Sequence, residues 1–302
     1  MSSKKANPPG STTTQNQSSQ APSTARSDDG KALVHPYATL KVTLPMPGVL
    51  VVALNRPDVR NAFNDEVVTE LHHVFTDLVT QDRVRAVVLK GEGTVFSAGG
   101  DLNWMKKAID YDYETNLRDT RALAALFAKM NECAKPLIGA VHGAAIGGGV
   151  GLVSVCDLVV ATQETQFSLS EVRLGLIPAC IGPFVLSKIG ASHARSLFIS
   201  AERFGAEKAK SIGLIHEVVA DAQALQEAVE RVVGNILQCG PNAVTAAKQL
   251  VHNLSWPESR ERHPDCLEYV AKTLADLRVS AEGQEGVRAF LEKRKPSWLQ
   301  GW

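Results

Sequence analysis

Val88-Leu89-Lys90-Gly91-Glu92-Gly93-Thr94-Val95-Phe96-Ser97-Ala98-Gly99-Gly100-Asp101 decides the fold, together with Pro136-Leu137-Ile138-Gly139-Ala140-Val141-His142-Gly143-Ala144-Ala145-Ile146-Gly147-Gly148-Gly149. Each stretch, with Ala86-Val87 before the first, starts as a short apolar run that reads as a buried strand and ends in a glycine turn. Glycine lets the chain turn sharply there and leaves peptide N–H groups uncovered by side chains. Two such groups aimed at one spot hold a developing oxyanion. A lone acid follows in Ser168-Leu169-Ser170-Glu171, where it can move a proton.

Outward from these turns the chain alternates strand and helix. Val49 to Leu54 is a buried strand, and Asn55-Arg56-Pro57-Asp58 breaks it. Asn64 caps a helix with Asp65 and Glu66 in its first turn and Val67/Val68, Leu71, Val74/Phe75 and Leu78 as its apolar stripe. A strand at 86–89, an irregular polar stretch from Asp101 to about Glu114, a long helix with Leu117, Leu123, Leu126/Phe127 and Met130 inward, and a strand at 136–141 come next. Val150 to Cys156 reads as a tightly packed helix and Leu158 to Ala161 as another strand. This βαβαβ order is α/β, with right-handed crossovers. From Pro183 the chain reads as helical, with Gly190 ending a first short piece, Gly213 capping another, and further helices at 222–238, 241–253 and 263–278. The expected division is a disordered Ser/Thr/Gln-rich tail over 1–35, a core over 36–240 and a C-terminal helical region over 241–302.

The chain has 302 residues, enough for one large core, and its 44% apolar and 21% charged content is that of an ordinary globular protein. Formal net charge is zero, which speaks against a nucleic-acid partner. Five scattered cysteines with no CxxC imply free thiols in a reducing compartment and no metal site. No run is long enough to span a bilayer and no apolar leader opens the chain, so the expected location is cytoplasmic. The glycine turns fit neither GxGxxG nor a P-loop nor a nucleophile elbow. Taken singly, each has a purely structural reading. Glu171 has a bland reading too, as a solvated loop acid or one neutralised by Arg173. Its apolar flanks instead predict a raised pKa suited to proton transfer. His142 reads as a core histidine, and Trp104 and Met105 read as packing or as acyl-pocket lining.

At these residues the chain resembles the crotonase, or enoyl-CoA hydratase, superfamily over about residues 38–296. The resemblance rests on Asn55-Arg56-Pro57, Asn61-Ala62-Phe63-Asn64, Phe96 to Leu102, Gly143 to Gly149, Cys156-Asp157, Phe167 to Pro178 and Ala289 to Arg294. It implies a spiral of ββα units with a C-terminal helical region that trimerises, often as a dimer of trimers. It implies no separate cofactor, since coenzyme A arrives as part of an acyl-CoA thioester substrate. Gly100 and Gly148 would supply the oxyanion-hole amides, and Glu171 matches one of two hydratase glutamates. Arg60, Ala62 and Ala98 would lie along the coenzyme A, Asp101 and Leu102 near its adenine end, and Trp104 beside the acyl chain. Phe290 and Lys293 would reach a neighbouring subunit's ligand. The second hydratase glutamate is replaced by Gly151, which is expected to leave space for a branched acyl chain. Asp110, Asp112, Glu114 and Asp119 are candidates to replace that acid. Asp101-Leu102-Asn103-Trp104-Met105-Lys106, with Gly149 to Val153 and Ser170 to Ala179, is most similar to hydratases of 3-methylglutaconyl-CoA in leucine breakdown and of isohexenylglutaconyl-CoA. The expected activity is hydration of such a branched enoyl-CoA. A double-bond isomerase, a general enoyl-CoA hydratase and a non-catalytic acyl-CoA-binding protein are the alternatives.

Overall fold

The computed structural model describes residues 37–255 and 266–299, so the tail expected over 1–35 lies outside the described residues. Strands β1 (Leu40–Met46), β2 (Val49–Leu54), β3 (Ala86–Gly91) and β4 (Leu137–Val141) form most of a six-stranded sheet. It is completed by Leu158–Thr162 and Glu217–Val219, which become β6 and β9 in chain order. The sheet order is β1-β2-β3-β4-β6-β9, antiparallel only at β1–β2. Parallel strands buried on both faces read as unbroken apolar runs, which is how β2, β3 and β4 read.

The helices are α1 (Asp65–His73), α2 (Leu102–Ile109), α3 (Tyr113–Asn131), α4 (Gly148–Val155), α5 (Gly182–Ser200), α6 (Ala206–Ser211), α7 (Ala222–Gln238), α8 (Pro241–Ser255), α9 (Cys266–Val279) and α10 (Ala281–Leu291). Side-chain caps start several of them. Asn64 accepts from Val67 N–H at 2.9 Å, Asp112 from Thr115 at 2.9 Å and Asp221 from Ala224 at 2.9 Å. The main core lies between one sheet face and α1, α3, α4 and α5, and includes Leu71, Phe127, Leu152 and Val185. On the other face Val88, Ile138 and Val160 meet Leu225, Val229 and Val232 of α7.

A second small sheet holds the strands Ala144–Ile146 (β5), Gln166–Ser168 (β7) and Arg203–Gly205 (β8). Single parallel bridges, Ser97 to Ala145 and Phe63 to Gly100, continue its pairing into the neighbouring turns. Each turn therefore repeats a long strand, a short strand or bridge, and a helix, as in β4-β5-α4 and β6-β7-α5. This is the expected spiral of ββα units. Its C-terminal helices α8, α9 and α10 form a bundle, in which Glu282 accepts from the N–H groups of Asn242 and Ala243 at the start of α8 at 3.0 and 2.8 Å. Such a bundle is consistent with a trimerisation region.

One local expectation is corrected. The stretch after Asp101 is not irregular throughout: Asp101 accepts from Asn103 and Trp104 N–H and so starts α2. Gly190 ends a first helical piece, as expected: its φ of 71° and ψ of 164° are non-helical, and α5 kinks there into a second piece. The short strands β5, β7 and β8 have only three residues each, too few to show a period.

Candidate active site

The two glycine turns are pressed against each other. Ser97 donates its N–H to Ala144 O at 3.0 Å and accepts from Ile146 N–H at 3.0 Å. A Cβ at Gly99 would sit 2.9 Å from Ile146 O, and one at Gly149 would sit 2.8 Å from Ser97 O. Only glycine permits this approach.

The third partner is the segment after β2. Arg60 and Asn61 take left-handed conformations, and Asn61 donates to the Glu92 and Val95 carbonyls at 2.7 and 2.8 Å. Arg60 O accepts from Ala98 N–H at 2.9 Å. Phe63 then clamps the first glycine turn: its N–H donates to Gly99 O at 2.7 Å and its carbonyl accepts from Asp101 N–H at 2.7 Å. Gly100 lies between these two bonds, and its N–H finds no acceptor among the described residues. Gly148 is the first residue of α4, and its N–H likewise finds none.

Glu171 opens a short 3-10 turn after β7. Its carboxylate lies against Gly147, whose added Cβ would be 3.1 Å from Oε1. Gly147 has φ 51° and ψ −116°, a conformation for glycine, and this lets the acid reach the turn. Oε2 of Glu171 is buried with no hydrogen-bond partner among the described residues. Burial pushes its pKa above the ordinary carboxylate range, against a smaller lowering by a backbone hydrogen bond. Arg173 does not neutralise it: its guanidinium donates to Ala201 O at 3.0 Å. A carboxylate whose Oε2 is unpartnered among the described residues thus sits next to the helix turn that carries the Gly148 N–H.

Gly151 gives a different result from the one expected. A Cβ there would lie 2.2 Å from Ile181 Cγ2 and 2.9 Å from two ring carbons of Phe127. Ile181 and Phe127 therefore fill the room expected for a branched acyl chain. The candidate replacement acids do other work or face outward. Asp112 caps α3, Asp110 and Glu114 are exposed, and Asp119 lies 4.0 Å from Arg118.

Asp101 is buried and uses both oxygens structurally, capping α2 and pairing with Arg56 at 2.9 Å. Burial would raise its pKa, but the Arg56 guanidinium and the Asn103 and Trp104 N–H groups outweigh that and lower it. Arg56 also donates to Ala62 O at 2.6 Å, so Ala62 is buried beside this pair. Arg60 and Leu102 are exposed, Ala98 is half-buried, and Trp104 packs on the main core. Met105 touches the site of a Gly100 Cβ at 3.4 Å. His142 holds Gly93 O at 3.0 Å. Phe290 is 82% exposed near the end of α10, with Lys293 just beyond it.

Sequence reasoning put Phe127 on a buried helix face and Phe63 in a motif but gave neither of them, nor Ile181, a role at the site, because apolar residues carry no chemical signature. Nor did it single out a cavity of about 500 Å³ lined by Ile146, Ser168, Ser170, Arg173, Glu202 and Arg203. Ile146 and Ser170 are the chain neighbours of Gly147 and Glu171.

Comparison with known proteins gives the same picture. The family model described as Enoyl-CoA hydratase/isomerase matches residues 46–301. The crystal structure of an enoyl-CoA hydratase from Shewanella pealeana is 37% identical with TM-score 0.81, covering 87% of this chain and 97% of that one. The mevalonyl-coenzyme A hydratase of Aspergillus fumigatus is 34% identical over 261 residues, 85% of this chain and 93% of that protein. The 2,3-dehydroadipyl-CoA hydratase of Escherichia coli is 32% identical over 252 residues, 83% of this chain and 94% of that protein.

Proposed function

This chain belongs to the enoyl-CoA hydratase/isomerase family, and we propose that it adds water across the 2,3 double bond of a branched enoyl-CoA, 3-methylglutaconyl-CoA. The observation that carries this reading is the unpartnered Glu171 Oε2 beside Gly147, whose chain neighbour Gly148 and the facing turn's Gly100 both have uncommitted N–H groups among the described residues.

In this scheme the thioester oxygen sits between the Gly100 and Gly148 N–H groups, each worth about 3–4 kcal/mol to the enolate. Glu171 takes a proton from water as the water oxygen bonds to C3. The C2–C3 π pair moves into the enolate, and Glu171 then gives its proton to C2. One carboxylate serves both steps, so hydrogen and hydroxyl add to the same face. Arg60, Ala62, Ala98, Asp101 and Leu102 flank the coenzyme A. Phe290 and Lys293 reach a neighbouring subunit in a trimer or dimer of trimers. Exposed apolar Val287, Phe290 and Leu291 support such a contact. Trp104 lines the acyl side.

The substrate class draws on two relatives. One is named for an acyl group with a distal carboxylate, dehydroadipyl, and the other for a C3-branched one, mevalonyl. 3-Methylglutaconyl-CoA has both features. In this reading Arg173 and Arg203, which line the cavity beside the Glu171 turn, are the cations for the distal carboxylate. Among the described residues no helix is long and apolar enough to cross a membrane.

The filled space at Gly151 favours a second reading. An isomerase also needs one carboxylate, which carries a proton from C2 of a 3-enoyl thioester to C4. Product mass separates the two. A gain of one water on 3-methylglutaconyl-CoA, with much less on crotonyl-CoA, supports the branched hydratase. No water added to either, with turnover of 3-enoyl-CoA esters at unchanged mass, refutes it in favour of the isomerase.

A further inference from the structure

Helix α4 rests on a row of aromatic rings. Gly148 and Gly151 are three apart and share one helix face. Gly148 faces the Phe63 ring, 3.5 Å from where its Cβ would be, and Gly151 faces Phe127. The two rings are neighbours, with centroids 6.3 Å apart and planes inclined at 41°, and Phe184 continues the row beyond Phe127 at 6.3 Å. Phe63 and Phe127 are 2% and 0% exposed, so neither ring has freedom to move aside.

Phe63 also reaches the other half of the site. Its backbone bonds to Gly99 and Asp101 bracket Gly100 and leave the Gly100 N–H free. One residue thus holds both proposed donors, Gly100 through its peptide groups and Gly148 through its ring.

We propose that Phe63 and Phe127 are positioning residues that fix the separation of the Gly100 and Gly148 N–H groups, and that Gly151 is glycine because α4 must lie low on this row. The proposal rests on the reading that those two N–H groups hold the thioester oxygen. Phe63 sets the lateral position of the first helical turn, while Phe127 with Ile181 sets its height. Neither ring touches substrate in this account. Their effect lies in aim, because donors that must meet an oxyanion lose their advantage when displaced by about 1 Å, at a cost of about 100-fold in rate.

The test compares Phe63→Leu and Phe127→Leu with Phe75→Leu, which removes a ring of similar burial from the same core outside the row. For each variant kcat and KM are measured on the turned-over enoyl-CoA. In parallel, the infrared carbonyl stretch of bound butyryl-CoA, carrying 13C at the thioester carbon, reports the pull of the two donors. The expected result is a kcat lowered about 10- to 100-fold for Phe63→Leu and Phe127→Leu, KM within about 2-fold, and a carbonyl stretch moved back toward its value in water. Phe75→Leu lowers the unfolding temperature but keeps both readouts. Wild-type kcat and carbonyl shift in both row variants overturn the positioning proposal while leaving the oxyanion hole standing. No carbonyl shift in the wild-type protein overturns the oxyanion-hole reading and this proposal with it.

Discussion

Replacing Gly151 with alanine tests the packing argument most directly. In an ordinary helix interior the change stabilises by about 1 kcal/mol, because glycine has more backbone entropy to lose. Here the new methyl lands 2.2 Å from Ile181 Cγ2 and 2.9 Å from the Phe127 ring. Carbon atoms in good contact stand about 3.5–4.0 Å apart. Overpacking of a rigid core costs about 1–3 kcal/mol, and two contacts this short put Gly151→Ala at the upper end. The net expectation is a loss of about 2 kcal/mol, or about 4–8 °C in Tm for a domain of this size. Denaturant and thermal unfolding measure it. Ile181→Ala removes the offending Cγ2, so the double variant should be more stable than the two single losses predict, by about 1 kcal/mol or more. Ile181→Val keeps Cγ2 and should show no such coupling. A Gly151→Ala protein as stable as wild type, or an Ile181→Val variant that relieves the strain as well as Ile181→Ala, refutes the reasoning.

Glu171→Gln should lower kcat by about 100- to 10,000-fold, and full retention of rate would rule out its role as acid and base. The wild-type kcat/KM should rise with pH through a carboxylate pKa above the ordinary value, since burial raises it and the base must be ionised. The folded state holds this proton more tightly than the unfolded chain, so its charge weighs against folding as pH rises from the unfolded value through the folded one. Glu171→Gln should therefore gain in Tm relative to wild type as pH rises from about 4, and a pH-independent difference would contradict the buried carboxylate with its raised pKa. Arg56→Ala leaves buried Asp101 unpaired and should cost about 1–3 kcal/mol in chemical unfolding, with wild-type protection present above the ordinary aspartate pKa and lost as pH falls through the lowered one. Arg203→Gln should raise KM for 3-methylglutaconyl-CoA several-fold and leave crotonyl-CoA kinetics unchanged; an equal effect on both esters would exclude a carboxylate subsite.

The strands, the capped helices and the two glycine turns were legible because each leaves a local mark. Asn64 sits where backbone N–H groups need a partner, and Gly147 sits where the dihedrals demand glycine, whereas Asp112, read only as a candidate acid, and Asp221, not singled out, turn out to be caps as well. Glu171 was legible as an acid among apolar neighbours. The space at Gly151 was not. From sequence, a missing side chain reads as open room, but Phe127 lies in α3 and Ile181 just before α5, both remote in the chain. Only the packing of three helices shows that the room is taken. Arg173 was ambiguous for the same reason, since its partner Ala201 is 28 residues away.

The absence of a side chain at Gly151 and the presence of the Phe127 ring are one structural fact. A carboxylate on that helix face needs its Cβ where Ile181 and Phe127 now stand. Placing one there would lift α4, and Gly148 is on the same face one turn earlier. Any hydratase chemistry gained from a second acid would be set against misalignment of an oxyanion donor worth about 3–4 kcal/mol. In the proposed scheme, the row under α4 goes with one-carboxylate chemistry. Gly151→Glu alone should lower, not raise, turnover of crotonyl-CoA, because the added acid displaces the helix that holds the thioester. Pairing it with Ile181→Ala and Phe127→Leu frees the space but takes away the bed, so that variant should also fail to exceed wild type. Crotonyl-CoA hydration by Gly151→Glu faster than wild type would show that α4 tolerates the side chain, and that the aromatic row does not set the position of Gly148.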